Sequence, residues 1–278
     1  MMLKICKGLP TDRRNLIPVK CGCWYNERVD VLRFIRRLFL FLLLVFIMPA
    51  LASLVVWEAD ASKPRSWHQA NWTSADILPK AEQETDAVIH VLSARTGRWK
   101  GAFSVHSWIV MKRAGAGSYV RYDVVGWGKP LRKNAYAPDA RWYSNEPDIL
   151  YSLKGANAES LIGRLENAIA HYPEAQRGDY VVWPGPNSNS FVAHLLNEVP
   201  ELGLALPSNA VGRDWLPMHR WYILDPDWRN LQVSLFGIAG FAIGVRHGAE
   251  INFLGLVAGL DLNDFGVKLP GFGKIAFR

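Results

Sequence analysis

The sequence predicts an α+β domain built on an antiparallel sheet and preceded by one N-terminal transmembrane helix. Three observations carry this reading. Leu38 to Trp57, LFLFLLLVFIMPALASLVVW, is a run of twenty residues without a charge, the length that spans the hydrocarbon core of a bilayer as a helix. Runs rich in β-branched and aromatic residues follow between Asp86 and Trp127, the composition of strands. Two apolar stripes at helical spacing come after them, and strands mixed with helices in this order belong to the α+β class.

The apolar run is interrupted only by Pro49, which membrane helices tolerate. The first 37 residues hold nine Lys or Arg against three acidic residues, a net +6 out of +7 for the chain, so everything after the run is close to neutral. By the positive-inside rule the arm is cytoplasmic and the body faces the periplasm or extracellular side of the inner membrane. A nucleic-acid binder carries its basic excess on a folded face that tracks phosphate; here the excess flanks a membrane segment, so the expected partner is the lipid bilayer and not nucleic acid. Ala50-Leu51-Ala52 resembles a signal-peptidase site, but the run exceeds a signal h-region, which favours a retained anchor. Cys6, Cys21 and Cys23 all lie in the arm. The body therefore has no disulfide framework and no cysteine nucleophile.

These features divide the chain into a basic arm (1–37), an anchor (38–57), a juxtamembrane segment (58–85), a body (86–230) and an apolar, glycine-rich tail (231–278). Trp57, Trp67 and Trp72 near the membrane exit suit a collar at headgroup depth and suit packing on the body equally well. DAVIHVLSA, GAFSVHSWIVMK and GSYVRYDVVGW read as strands. In the second, alternation puts Ser104, His106 and Trp108 on one face and Val105, Ile109 and Met111 on the other; in the third, Arg121 and Asp123 lie opposite Val120, Tyr122 and Val124. Residues 129–148 read as a loop. Leu161, Leu165, Ala168 and Ile169 mark a helix capped at Asn157 and ended by Pro173. DYVVW (179–183) reads as a short strand, and Phe191, Leu195 and Leu196 or Val199 mark a second helix stopped by Pro200. In the tail, LQVSLFGIAGFAIGV and INFLGLVAGLDL are too short to span a membrane; they suit hairpin strands packed on the body or a surface against the bilayer.

The chemistry concentrates at GPNSNSFV, where a turn enters the second helix. A helix N-terminus presents unpaired N–H groups and a partial positive charge, so a hydroxyl there is placed to attack a carbonyl while nearby donors stabilise the oxyanion. Ser190 is the candidate nucleophile and Asn187 or Asn189 the candidate oxyanion donors, while Ser and Asn are also the preferred helix caps. A serine needs a base. His106, on the polar face of its strand, fills that role, with Asp123 on the next strand to orient the imidazole. Trp108 and Trp183 are candidates for a substrate groove together with Asn187 and Asn189. His194 and Glu198 stand four apart on one helix face, yet no HExxH pattern or third ligand accompanies them, so no metal and no cofactor is expected.

VHSWIVMK, followed far downstream by GPNSNSFV, resembles the circularly permuted branch of the NlpC/P60 papain-like superfamily, in which a histidine strand precedes an Asn-Cys-x-x-Phe-like motif at a helix N-terminus. The similarity covers about Asp86 to Leu202, with Ser190 standing where the family has cysteine. The membrane segment and glycine-rich tail also resemble an uncharacterised bacterial family of membrane-anchored proteins. The resemblance implies a papain-like body and hydrolysis or transfer at an amide or ester bond of a cell-envelope substrate. Serine in place of cysteine leaves a non-catalytic envelope module, binding peptidoglycan, lipid or a membrane partner, as the alternative.

Overall fold

A computed structural model describes residues 24–64, 66–218, 220–262 and 265–277. The cysteines and the first part of the basic arm lie outside the described residues. The chain opens with helix α1 (Trp24–Leu42), a π-helical stretch (Leu43–Ile47) and helix α2 (Met48–Glu58). Within this run, Asp30–Glu58 is one helix apolar enough to cross a membrane, and most of its side chains are exposed. The chain separates into two compact units between Leu40 and Phe41. Before that boundary α1 exposes Leu32, Phe34, Ile35 and Phe39 together with Arg33, Arg36 and Arg37.

The second unit is α+β with two antiparallel sheets. The first has the order β4-β3-β2-β1-β5, from β1 (Val88–Arg95), β2 (Val105–Lys112), β3 (Val120–Val124), β4 (Leu131–Lys133) and β5 (Asp148–Lys154). Central β2 is buried along its whole length, because both faces are covered. On one side Val105, Ile109 and Met111 pack with Ile89 and Val91 against α3 (Ala156–Ala170) and α4 (Ser188–Glu198). On the other, Trp108 and Val110 join Leu92, Tyr119 and Trp142 in a second cluster to which Trp72 adds its ring. Trp72 lies 5.0 Å from Trp142 and 4.9 Å from Tyr143, so this tryptophan packs on the body.

Three local readings are corrected. Inside what reads as a loop, β4 pairs with β3, and β5 continues from its end and pairs with β1 as the fifth strand. α3 begins one residue earlier than its expected cap: Gly155, at φ +76°, is the N-cap, and Asn157 lies inside the first turn. Residues 179–183 form no strand; the Val181 N–H bonds back to the Pro186 carbonyl at 2.8 Å, closing a loop on itself instead of joining a ladder.

The tail, together with residues 222–230, forms a seven-stranded meander, ordered β12-β11-β10-β9-β8-β7-β6, from β6 (Tyr222–Leu224), β7 (Asn230–Leu235), β8 (Ala239–Gly244), β9 (Gly248–Phe253), β10 (Leu256–Asp261), β11 (Gly266–Leu269) and β12 (Gly273–Ala276). Its polarity is inverted. Asn230, Gln232, Ser234, Glu250, Asn252 and Lys268 point inward and are buried. The alternate positions form apolar rows, of which Leu231, Ile243, Ala249, Leu260, Val267 and Ile275 are paired strand to strand. Buried polar groups must find partners, and these do: Asp214 accepts from Gln232 and Asn252, each at 2.9 Å, and Lys268 Nζ lies 2.5 Å from Glu250 Oε1. Arg213 completes the ion pair with Glu250.

The C-terminal part of the apolar helix is fastened to this unit. Phe46 is fully buried with its ring 5.6 Å from that of Phe253. Ser53 Oγ donates to the Ala102 carbonyl at 2.6 Å, and Trp57 Nε1 donates to the Arg98 carbonyl at 2.9 Å. A Cβ on Gly271, which sits at φ +79°, would lie 2.5 Å from the Ser53 side chain, so glycine is what lets the helix approach. In the main core, Phe191 is fully buried and meets Tyr172 edge-on at 5.0 Å. Phe191→Ala is expected to cost about 3–5 kcal/mol, read as a lower midpoint of chemical unfolding in detergent at an unchanged slope.

Candidate functional site

The entrance to α4 is built by asparagine. Asn187 is the N-cap: its Oδ1 accepts from the Asn189 and Ser190 amides at 2.9 and 3.2 Å, and the Ser190 hydroxyl closes a capping box on the Asn187 backbone. The other end of the same amide donates to the Val182 and Val211 carbonyls at 3.0 and 3.1 Å. Asn189 Nδ2 donates to Val105 in β2 at 2.9 Å and to Val211 at 2.8 Å. These bonds pin the helix entrance beside the start of β2. Gly212, at φ +96°, stands where a Cβ would fall 2.1 Å from Asn187 Nδ2, so the loop carrying Val211 passes close only because that side chain is absent.

Next to this entrance lies a buried charged row. His106 Nε2 is 3.4 Å from Asp123 Oδ2, and the same oxygen accepts from Arg121 Nη2 at 2.9 Å. Arg121 also donates to the Ala137 carbonyl at 2.9 Å and lies 4.1 Å over the Trp108 ring. Asp123 and Arg121 are fully buried, and a buried charge persists only when paired. Burial drives the His106 pKa below its ordinary 6.5, and the Asp123 contact only partly restores it. For Asp123, burial pushes upward, but the His106 hydrogen bond and the Arg121 charge outweigh it and hold the carboxyl below its ordinary value. The imidazole is therefore neutral near pH 7. With the Nε2 proton directed to Asp123, Nδ1 is the acceptor nitrogen of the neutral ring.

His106 and the α4 entrance border one cavity of about 390 Å³, within the usual range for a small-molecule site. Ser188, Asn189 and Asn187 line it on the helix side; Trp127, Trp142, Tyr143, Trp183 and Leu254 make most of it apolar. Trp142 lies flat on His106, ring centroids 3.6 Å apart and planes 3° apart, and shields one face of the imidazole from water.

The structure thus brings His106, Asp123, Asn187, Asn189 and Trp183 to one place. Two residues named from sequence lie elsewhere. Ser190 is not on the cavity: its hydroxyl donates to the Asn187 carbonyl at 2.8 Å inside the capping box, with the residue 1% exposed. Trp108 is sealed between β2 and Arg121, its indole spent on the Pro138 carbonyl at 2.8 Å. Asn187 and Asn189 have their amide N–H groups committed to backbone carbonyls, so they hold the entrance in place instead of offering donors to a substrate. The residue missed is Ser188, the first residue of α4 and a cavity wall. Spacing could have found it, because counting back three from Phe191 gives Ser188, directly after Asn187. Among the described residues no group of three metal-ligating side chains exists.

Asp123→Asn is expected to lower the His106 pKa further, since the mutation removes the groups that raise it and leaves burial unopposed; histidine NMR titration reads this. It also strands Arg121, at a cost of about 3–5 kcal/mol. In the wild type, the unfolded chain takes a proton at His106 near pH 6.5 and the folded chain only at lower pH. Stability is therefore expected to fall as pH drops below about 6.5, and His106→Gln is expected to flatten that part of the curve.

Comparison with curated proteins and with solved structures returns no match. Residues 86–215, which hold β1, the His106–Asp123 pair, the α4 entrance and the Val211 loop, match a family model described as a protein of unknown function (DUF3750).

Proposed function

We propose that the chain is a membrane-anchored hydrolase or acyltransferase acting on an amide or ester bond of a cell-envelope substrate, with Ser188 as nucleophile, His106 as base and Asp123 as orienting carboxylate. The observation that carries it is the convergence on one apolar cavity of a neutral histidine, tied at Nε2 to a buried carboxylate, and a serine at the first position of a helix. In the first step the Ser188 oxygen bonds to the substrate carbonyl carbon while His106 Nδ1 takes the hydroxyl proton. The tetrahedral oxyanion forms at the positive end of α4, beside the amide of its first residue, which has no acceptor inside the helix. His106 then returns the proton to the departing amine or alcohol, and water or an acceptor hydroxyl releases the acyl group by the reverse path.

The order of elements, a histidine strand followed much later by the nucleophile helix, supports a papain-like arrangement of the permuted NlpC/P60 kind. In this reading Asp30–Glu58 is a single-pass anchor of the inner membrane, the basic arm is cytoplasmic and the body lies on the outer side. The apolar cavity wall favours a second reading, a module that binds a lipid or glycan without turning it over. Serine variants separate the two. With an activated acyl phosphonate probe, Ser188→Ala is expected to abolish labelling, whereas Ser190→Ala keeps it and loses about 1 kcal/mol of stability through the capping-box hydrogen bond. Labelling that survives Ser188→Ala, or is absent from the wild type, leaves the binding module. The acid limb of kcat/KM is expected to lie below pH 6.5, because the base titrates below that value.

A further inference from the structure

The seven-stranded sheet has its polar residues inside and its apolar residues outside, the reverse of a sheet that packs one face on a core and wets the other. Phe241, Ile243, Ile251, Leu260 and Ile275 are 43–54% exposed on this outer face, and none of the paired outer rows of β7 to β12 carries a charge. Water disfavours a contiguous surface of this kind. A sheet with polar groups turned inward and aliphatic groups turned outward is the pattern that hydrocarbon selects.

The face is also continuous with the apolar helix. Phe253 belongs to the outer rows, paired with Ala239 on one side and Leu256 on the other, and it is the ring on which Phe46 packs. Gly271, in the turn between β11 and β12, receives Ser53. A helix that spans the bilayer and touches the sheet at two levels holds that sheet at membrane depth.

From this, and resting on the reading of Asp30–Glu58 as a membrane anchor, we infer that the outer face of the seven-stranded sheet lies in the hydrocarbon of the adjacent leaflet. The turn between β9 and β10 extends this surface to the catalytic cavity, since Leu254 is exposed there and also lines the cavity. The bilayer is the occupant, and not a second protein, because the apolar rows of the sheet run directly into a helix whose own exposed side chains are suited to lipid.

The test uses the full chain in phosphatidylglycerol and phosphatidylethanolamine vesicles, with Cys6→Ser, Cys21→Ser and Cys23→Ser as background. Single cysteines at Phe241→Cys, Ile251→Cys and Ile275→Cys carry an environment-sensitive fluorophore; Leu44→Cys marks the helix and Glu82→Cys the aqueous side. The expected result at all three sheet positions is blue-shifted emission, quenching by nitroxide on lipid acyl chains as at Leu44, and several-fold weaker iodide quenching than at Glu82. Iodide quenching at the sheet with lipid quenching at Leu44 overturns the inference and leaves the anchor standing. Iodide quenching at Leu44 as well overturns both. Shielding of the sheet positions from both quenchers means that protein covers the face, for instance a second copy, and also overturns it. Repeating the set with Ser188→Ala separates membrane seating from catalysis, because the fluorescence pattern is expected to be unchanged.

Discussion

The ion pair between Arg213 and Glu250 is the contact on which the rest of the unit hangs. Burial pushes the Glu250 carboxyl up, and the Arg213, Lys268 and His247 contacts outweigh it and keep the carboxylate ionised. Arg213 belongs to the same short loop as Val211, whose carbonyl receives the side-chain amides of Asn187 and Asn189, and as Asp214, which accepts from Gln232 and Asn252. One loop thus binds the polar underside of the second sheet and holds the entrance of α4. Loss of Glu250 takes the shared carboxylate from both buried Arg213 and buried Lys268, and it loosens both the sheet and the helix entrance.

The charged row under His106 does a similar service at the centre of the first sheet. Arg121 holds Asp123 ionised, Asp123 fixes the imidazole edge, and Trp142 covers its face. No link in this chain is exposed, so the field at the imidazole is set by fixed protein groups in a medium of low dielectric. Burial, helped by the nearby Arg121 charge, keeps the histidine neutral near neutral pH against the pull of Asp123.

Much of this was legible in the sequence. The alternation of Ser104, His106 and Trp108 against Val105, Ile109 and Met111 placed the histidine on one face of its strand, and pairing of β2 with β3 in the observed register set Asp123 beside it. The stripes of α3 and α4 gave two helices on one face. What sequence did not reveal were contacts made by distant segments. The turn after Gly178 reads as a strand because its residues are β-formers, yet its backbone closes on Pro186 and its side chains serve the cavity. Ser188 and Ser190 are chemically alike, and only the capping box, which engages the second, tells them apart. In the tail the alternation of Leu231, Val233 and Leu235 with Gln232 and Ser234 was visible, but alternation alone does not say which face is inside; the partners Asp214 and Arg213, far away in sequence, decide that.

The fastening of α2 gives the molecule a fixed measure. Because Ser53 and Trp57 are bonded to the turn that follows β1, and Phe46 is wedged on β9, no slack linker separates the apolar helix from the domain. Each residue of helix advances the chain by about 1.5 Å and turns it by about 100°. The distance from helix to cavity is therefore written in helical residues, as on a ruler, and a single insertion between Phe46 and Ser53 would break the register of both contacts at once. Any change in helix length therefore shifts the cavity along the helix axis by whole residue steps.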